Sequence, residues 1–311
     1  MRSSGLKVFA PATVSNVACG FDSLGFAIHQ PGDEVVVRKS ANRGLQITKI
    51  TGDGGKLSSD PNLNTAGISA LRMLSHIGEH DVGIEMELHK RMPFGSGLGS
   101  SGASAVAGVF AVNELLGRPL ERRDLLPFAI EAERIACGSA HADNVAPCLL
   151  GGFQLIRDHA TADITRLPLP SGLHVIVLHP NIEVLTSESR AILSPTVPLS
   201  DASKQAANLG AFVAACFRSD LDLLHRSMVD YLIEPQRAHL IPHFRQLQQI
   251  ALEEGAIGCN ISGSGPSIFA LCHNSNEAER IGEHFTRLYT DDDIEHTLYV
   301  SAINQSGVTL Y

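Results

Sequence analysis

The run Pro93-Phe94-Gly95-Ser96-Gly97-Leu98-Gly99-Ser100-Ser101-Gly102-Ala103-Ser104 combines glycines, hydroxyls and no cationic side chain. Glycines let a backbone take positive φ and approach a ligand closely. Where such a turn feeds a helix, the first N–H groups lack intrahelical acceptors and the dipole adds partial positive charge. That arrangement suits phosphate. With no lysine in the loop, backbone amides carry much of the recognition, and Ser100 and Ser101 offer hydroxyls to a phosphate or a magnesium ion. The pattern GxxxxGK[ST] is absent, because no Gly-Lys follows. GxGxxG is present from Gly97 to Gly102, but a second helix follows the first where a dinucleotide fold needs a parallel strand. A tight strand-to-helix turn without a ligand is the competing explanation.

A second cluster offers other chemistry: Glu133, then His141-Ala142-Asp143-Asn144-Val145-Ala146-Pro147. Glu133 falls near the C-terminal end of its helix, where the dipole disfavours an anion. A surface carboxylate, like Glu131 on the same helix, is the plain alternative to a role in a site. His141, Asp143 and Asn144 invite a triad, yet neighbours in a loop need not converge, and a lone histidine is commonly structural. Asn144 can donate to developing phosphate charge or orient an attacking hydroxyl.

The elements that must hold these residues follow from periodicity. Glu34 to Lys39 and Leu45 to Ile50 read as strands, and Asn64 to Ile77 as a helix with Ile68, Leu71 and Leu74 on one face. Gly83 to His89 alternates, with Ile84, Met86 and Leu88 facing one way, as a half-buried strand does. The glycine loop then feeds a helix over about 100–116, and a second helix covers about 121–136. In the second half, Leu173 to His179 reads as a buried strand. Helices are expected at 202–217, 221–231 and 244–254, a strand-loop-strand unit at 257–271, a helix at 277–288 and a strand at 296–302. Strands and helices mix without a regular βαβα alternation, which predicts an α+β fold.

At 311 residues the chain suits two domains, divided at 1–160 and 161–311. Its net charge of -9 and the lack of a basic stripe argue against nucleic acid. The densest charge run, Asp291-Asp292-Asp293, reads as a solvated loop. The six cysteines, Cys19, Cys137, Cys148, Cys216, Cys259 and Cys272, form no CxxC and no zinc-finger spacing, so they are expected as small core residues in a reducing compartment. The N-terminal apolar stretch is broken by Pro11, Thr13, Ser15 and Asn16, which does not suit a signal peptide. The most apolar run, Leu173 to Leu178, is far short of the ~20 residues that span a bilayer. A cytoplasmic protein without a membrane partner is expected.

The loop from Pro93 to Ser101 also resembles the phosphate-loop signature, Pro-x-x-x-Gly-Leu-Gly-Ser-Ser, of the GHMP kinases: galactokinase, homoserine kinase, mevalonate kinase and phosphomevalonate kinase. Two further matches lie in the family's order. They are Pro11-Ala12-Thr13-Val14-Ser15-Asn16-Val17-Ala18-Cys19-Gly20-Phe21-Asp22-Ser23-Leu24-Gly25 and Asn260-Ile261-Ser262-Gly263-Ser264-Gly265-Pro266-Ser267. The first most resembles the homoserine kinase branch, whose usual form is PATSANLGPGFDSLG; here Val17-Ala18-Cys19 replaces Leu-Gly-Pro. Glu133 and the HxDNVAP segment match the same branch at the same spacing.

The resemblance implies a two-domain GHMP kinase-like fold with a ferredoxin-like C-terminal domain, often a homodimer. It implies ATP as co-substrate and L-homoserine as acceptor. Phosphate contacts would come from Pro93, Gly95, Ser96, Gly97, Leu98, Gly99, Ser100, Ser101, Gly102 and Ala103, with Asn62 near the adenine or else capping a helix. Mg2+ would be held by Glu133 and Ser101, with Ser100 as the alternative serine. Asn144 would act at the reacting phosphate, and no general base is evident. Arg190 and Arg237 would clamp the substrate carboxylate, as guanidinium groups do through paired hydrogen bonds; solvated surface charge is the alternative. Asp22 would face the ammonium, Asn16 the polar end of the substrate, and His141 and Gly263 would shape its site. A mevalonate-type kinase, a nicotinamide dehydrogenase and a noncatalytic ligand sensor are the other readings. HxDNVAP with the arginines, the missing βαβ unit, and intact Ser101, Glu133 and Asn144 disfavour them in turn.

Overall fold

The computed structural model describes residues 5–138 and 140–311, apart from the side chains of 136 and 137. Two long strands open the chain: β1 (Leu6–Ser15) and β2 (Leu24–Lys39), paired antiparallel. The valine-rich run at 34–39 is only the second half of β2. β3 (Leu45–Thr51), helix α1 (Thr65–His76) and β4 (Ile84–His89) follow. β4 keeps the expected alternation, with Ile84, Met86 and Leu88 fully buried. α2 (Ser100–Leu115) then crosses the sheet. Its small residues let it lie close to α1: a Cβ on Gly108 would stand 2.2 Å from the Ala66 carbonyl oxygen.

A 3-10 turn at Arg122–Leu125 leads into α3 (Leu126–Cys137), followed by α4 (Ala142–Leu150), β5 (Phe153–Asp158) and β6 (Asp163–Leu167). The expected loop over 141–147 is therefore corrected: from Ala142 onward it is helix. Pro147 sits inside that helix and leaves the Asp143 carbonyl without its helical N–H donor. Gly25 of β2 lies against that oxygen, where a Cβ would come within 1.8 Å.

The second half holds β7 (His174–Pro180), α5 (Thr186–Ala191), α6 (Leu199–Arg218), α7 (Leu221–Ser227), α8 (Glu234–Arg237), α9 (Phe244–Glu253), β8 (Gly258–Ile261), β9 (Ile268–Cys272), α10 (Ser275–Asp291), β10 (His296–Ala302) and β11 (Thr309–Leu310). The helix expected over 221–231 stops at Ser227. Asp230 turns the chain there, its carboxylate accepting the N–H groups of Leu232, Ile233 and Glu234.

The first sheet runs β11-β1-β2-β4-β3, with β5 and β6 branching from β2. The second runs β10-β7-β9-β8, all antiparallel. Its strands stand in the order fourth, first, third, second, the split β-α-β arrangement of a ferredoxin-like unit. One face packs Ile176, Ile268 and Ile261 against Phe244, Phe285 and Tyr289 of α9 and α10. The other face adds Val175, Val177, Phe269 and Leu271 to the core of the first sheet. There Phe26 stacks on Phe153 at 4.4 Å and meets Phe269 edge-on at 6.0 Å.

The expected division at 160/161 falls in the turn between β5 and β6, which pair with each other. The last residues also return to the first sheet through β11 on β1 and an Ile28–Ile303 bridge. Cys19, Cys148, Cys216, Cys259 and Cys272 are free and buried; the Cys137 thiol lies outside the described residues. Among the described residues no helix is long and apolar enough to cross a membrane.

Candidate active site

The glycine loop is packed between the Thr13, Asn144 and Ser262 segments. Gly99 occupies the N-cap of α2 at φ 71, with no side-chain cap on the first amides. Gly97 has φ 73, and a Cβ there would meet the Ser262 carbonyl oxygen at 2.2 Å. On Gly99 it would meet Thr13 Oγ1 at 2.2 Å and Asn144 Oδ1 at 2.7 Å. At these two positions the missing side chains make room for protein, a different reason from the close ligand approach expected above. Ser262 Oγ donates to the Gly97 carbonyl at 2.8 Å, and the Thr13 N–H to the Leu98 carbonyl at 3.1 Å. Ser96 Oγ is buried with no hydrogen-bond partner among the described residues. Gly95 to Ser101 line a cleft of about 510 Å³, whereas Pro93, Gly102 and Ala103 stand behind it.

A buried cation lies under this turn that the sequence reading passed over. Lys90 Nζ pairs with the Asp33 carboxylate and donates to the Ser100 carbonyl at 2.9 Å and Ser104 Oγ at 2.8 Å. Asp33 also accepts the N–H groups of Arg91 and Met92 at 2.8 and 3.1 Å. The available signal was a lysine directly after an alternating strand, just ahead of the glycine loop.

Glu133, 1% exposed, accepts Ser101 Oγ at 3.1 Å and His141 Nδ1 at 3.0 Å on the same oxygen. Burial opposes charge on His141, but the Glu133 carboxylate, and then Asp143, outweigh it and raise its pKa. Asp143 is pushed up to about 6, first by burial and then by the Asp22 charge. Its Oδ1 has no hydrogen-bond partner among the described residues. Asn144 turns the other way: its Oδ1 accepts from Thr13 Oγ1 at 2.8 Å and its Nδ2 donates to Ser15 Oγ at 3.1 Å. His141, Asp143 and Asn144 thus share the start of α4 and form no triad. Thr13 and Ser15, missed in the sequence, are what orient Asn144.

The far part of the cleft is charged. Asn16, Val17 and Ala18 all have positive φ, at 69, 38 and 59, as does Asp22 at 54. Non-glycine residues adopt that region rarely and under strain. The Asn16 amide bonds both ways within the protein, Nδ2 donating to the Gly263 carbonyl at 2.8 Å and Oδ1 accepting the Asp22 N–H at 3.0 Å. Its evident work is to place Asp22. Arg190 of α5 grips the Asp22 carboxylate with both terminal nitrogens. Arg237 of α8, 2% exposed, donates to the Ser189 and Gly263 carbonyls, each at 3.1 Å. Burial, then the Arg190 charge, lower its pKa to about 10. Phe21 lies beside both guanidinium groups, and His159 Nε2 donates to the Asp22 carbonyl at 2.6 Å.

Asn62 is not brought to the cleft. It is exposed and folded onto Asp60, which accepts both its backbone and side-chain N–H groups at 2.9 Å. Leu57, Leu63, Asn64 and Thr65 line the cleft instead, and Asn64, not Asn62, caps α1.

The family model for the GHMP kinases N-terminal domain matches residues 64–152, and that for the C-terminal domain matches 212–291. A homoserine kinase of Chlorobium phaeovibrioides is 46% identical over 98% of this chain and 99% of its own. One of Chlorobaculum tepidum is 44% identical over 97% of each. The solved structure of homoserine kinase from Cytophaga hutchinsonii superposes with a TM-score of 0.97 at 51% identity, covering 99% of this chain and 98% of that one. A mevalonate kinase structure reaches 0.73 at 10% identity, covering 96% and 99%, a likeness of fold alone.

Proposed function

The chain belongs to the GHMP kinases, among the homoserine kinases, and we propose how its cleft divides the work of that reaction. The activity is ATP-dependent phosphorylation of the side-chain hydroxyl of L-homoserine to O-phospho-L-homoserine, a step of threonine biosynthesis.

The observation that carries the reading is the charge layout around Asp22. A carboxylate, a guanidinium gripping it and a second, buried guanidinium that bonds, among the described residues, to carbonyls alone match an amino acid's ammonium and carboxylate. Arg190 and Arg237 take the substrate carboxylate and Asp22 its ammonium. Asn16 and Gly263 hold those groups in register, and His141 closes the site beside Glu133. The side-chain hydroxyl then points toward the glycine loop, whose amides at the start of α2 hold the nucleotide phosphates. Asn144, fixed by Thr13 and Ser15, donates to the transferring phosphoryl group. Phosphoryl transfer depends mainly on positioning and charge neutralisation, so the reaction proceeds without a dedicated base.

Ser101 Oγ and Glu133 Oε2, 3.1 Å apart beside the phosphate loop, form a hard-oxygen donor pair that fits Mg2+. Among the described residues there is no cluster of three or more acidic, histidine or cysteine ligands. That fits an ion arriving with the nucleotide. Ser101 and Glu133 would hold the ion there, where it would supply charge neutralisation at the phosphate oxygens. The phosphate loop belongs to the unit 1–160 and the arginines to 161–311, so transfer takes place between the two. We further assign the protein to the cytoplasm, as its sequence pattern suggests, and to a homodimer, as the family resemblance implies.

A coupled assay with ATP against homoserine, mevalonate, galactose and shikimate tests the reading. Activity on homoserine alone is expected. Tight ATP binding with no turnover on any of them would instead make the chain a ligand sensor.

A further inference from the structure

Arg190 and Arg237 stand on different helices, yet both guanidinium carbons lie 5.5 Å from the centre of one ring, that of Phe21. Two like charges gathered at one point repel. Among the described residues only Asp22 is ion-paired with either, and it is paired with Arg190. The carbonyls of Ser189 and Gly263 hold Arg237 without bringing a formal charge. Phe21 is half-buried on the cleft wall and belongs to neither apolar core cluster. Core packing therefore does not account for its place. The backbone beside it is held, because the next residue is tied by its N–H to Asn16 and by its carbonyl to His159. The face of an aromatic ring carries negative quadrupole density and attracts a guanidinium within about 6 Å of its centre.

We propose that Phe21 is a positioning residue for carboxylate recognition, its ring holding the Arg190 and Arg237 guanidinium groups together against their repulsion and toward one bound carboxylate. This rests on the reading of the two arginines as the carboxylate clamp. Phe21 touches neither the phosphate loop nor the transferring group in that scheme. Its loss weakens homoserine binding and leaves the phosphoryl step largely intact.

The test compares homoserine with homoserine amide, which lacks the carboxylate charge. Phe21→Leu should raise the KM for homoserine about 5- to 30-fold, the range expected on losing such contacts. The kcat should stay within about three-fold, as for a group that acts on binding rather than on the transition state. The KM for ATP should not move, and the already poor KM for the amide should change little. Fluorinated phenylalanines at position 21 drain the ring's quadrupole at nearly constant volume, so homoserine KM should climb with each added fluorine. That series decides the matter even if Phe21→Leu does not fold. A flat series, or a Phe21→Leu enzyme that loses kcat and amide turnover as much as homoserine binding, overturns the proposal and leaves the ring as filler. A wild-type enzyme that does not discriminate homoserine from its amide overturns the arginine clamp itself, and the Phe21 proposal falls with it.

Discussion

Asp22 and Arg190 hold each other through paired hydrogen bonds of 3.0 and 3.1 Å, joining the loop after β1 to helix α5 across the cleft. On the reading proposed above, the pair mimics the substrate. In the proposed binding mode an amino acid brings a carboxylate for Arg190 and an ammonium for Asp22, so binding would exchange one internal ion pair for two external ones. Both side chains are more than a third or about a third exposed, at 39% and 33%. A pair of that exposure contributes only about 0–1 kcal/mol, so the exchange meets little resistance. In that mode Arg237 would gain more, because its buried charge has carbonyl dipoles but no carboxylate partner among the described residues.

Replacing Arg190 or Arg237 by alanine should therefore weaken homoserine binding unequally. Loss of one member of a desolvated charge pair costs about 2–5 kcal/mol. Arg237, 2% exposed, belongs at the upper end; Arg190 belongs at the lower, since its removal also frees Asp22 for the ammonium. Arg190→Lys should rescue incompletely, because an ammonium cannot reproduce the planar two-bond grip. The kcat/KM values of homoserine and its amide, measured for wild type and Arg190→Ala, complete the cycle. Equal losses for both compounds would show that Arg190 does not read the carboxylate.

Gly97→Val should damage both halves of the site. At φ 73 the valine is strained, and its Cβ points at the Ser262 carbonyl oxygen, 2.2 Å away, and the Gly265 carbonyl oxygen, 2.9 Å away. The turn that must yield carries the Gly263 carbonyl, the acceptor for both Asn16 and Arg237. A stability loss of about 2–4 kcal/mol is expected, with weaker binding of ATP and of homoserine. Calorimetry showing intact homoserine affinity beside lost ATP affinity would return Gly97 to a purely phosphate-binding role.

How much of this could be read in advance divides by physical cause. The glycine loop, its helix, β4 and the second-half strands were legible, because periodicity and glycine spacing are local properties. The resemblance brought Asp22, Arg190, Arg237, Glu133 and Asn144 to one list, and the structure brings them to one cleft. What stayed hidden depends on long-range partners. Lys90 gains its place from Asp33, and Asn144 from Thr13 and Ser15, more than 50 residues away in each case. Asn62 lies folded onto Asp60, a local capture that spacing does not reveal. The Val17-Ala18-Cys19 departure is likewise explained only by the backbone. Val17 and Ala18 are buried and held at positive φ without glycine, so the chain accepts strain there where the family's usual motif places a glycine.

Glu133→Gln should leave the fold intact, being nearly isosteric, and lower kcat by roughly 10²-fold or more, as loss of one strong electrostatic stabiliser does. It should also lower the pKa of His141, since the Glu133 carboxylate is what raises it against the effect of burial. Titration of the His141 ring resonances by NMR reads the second effect independently of activity. A folded variant with near-full kcat at saturating magnesium would remove Glu133 from the site.

Asp143 sets a pH dependence of stability that a single substitution should erase. Its carboxyl is raised from 3.8 to about 6, chiefly by burial and then by the charge of Asp22. The folded chain thus binds this proton more tightly than the unfolded chain does. Wherever the folded state holds more protons, stability falls as pH rises. The contribution of Asp143 should therefore be most favourable below about pH 4 and decline through pH 6, levelling off above. The conversion of one pKa unit to 1.36 kcal/mol puts the full span at up to roughly 3 kcal/mol. Asp143→Asn carries no titrating proton, so its stability relative to wild type should rise steadily between pH 4 and pH 6. Asp22→Asn, which removes the secondary cause, should shrink the slope without abolishing it. Chemical denaturation of the three proteins across pH 4–7 checks this, each compared with wild type at the same pH so that other titrating groups cancel. Parallel curves for wild type and Asp143→Asn would mean that the Asp143 carboxyl does not titrate in this range in the folded protein.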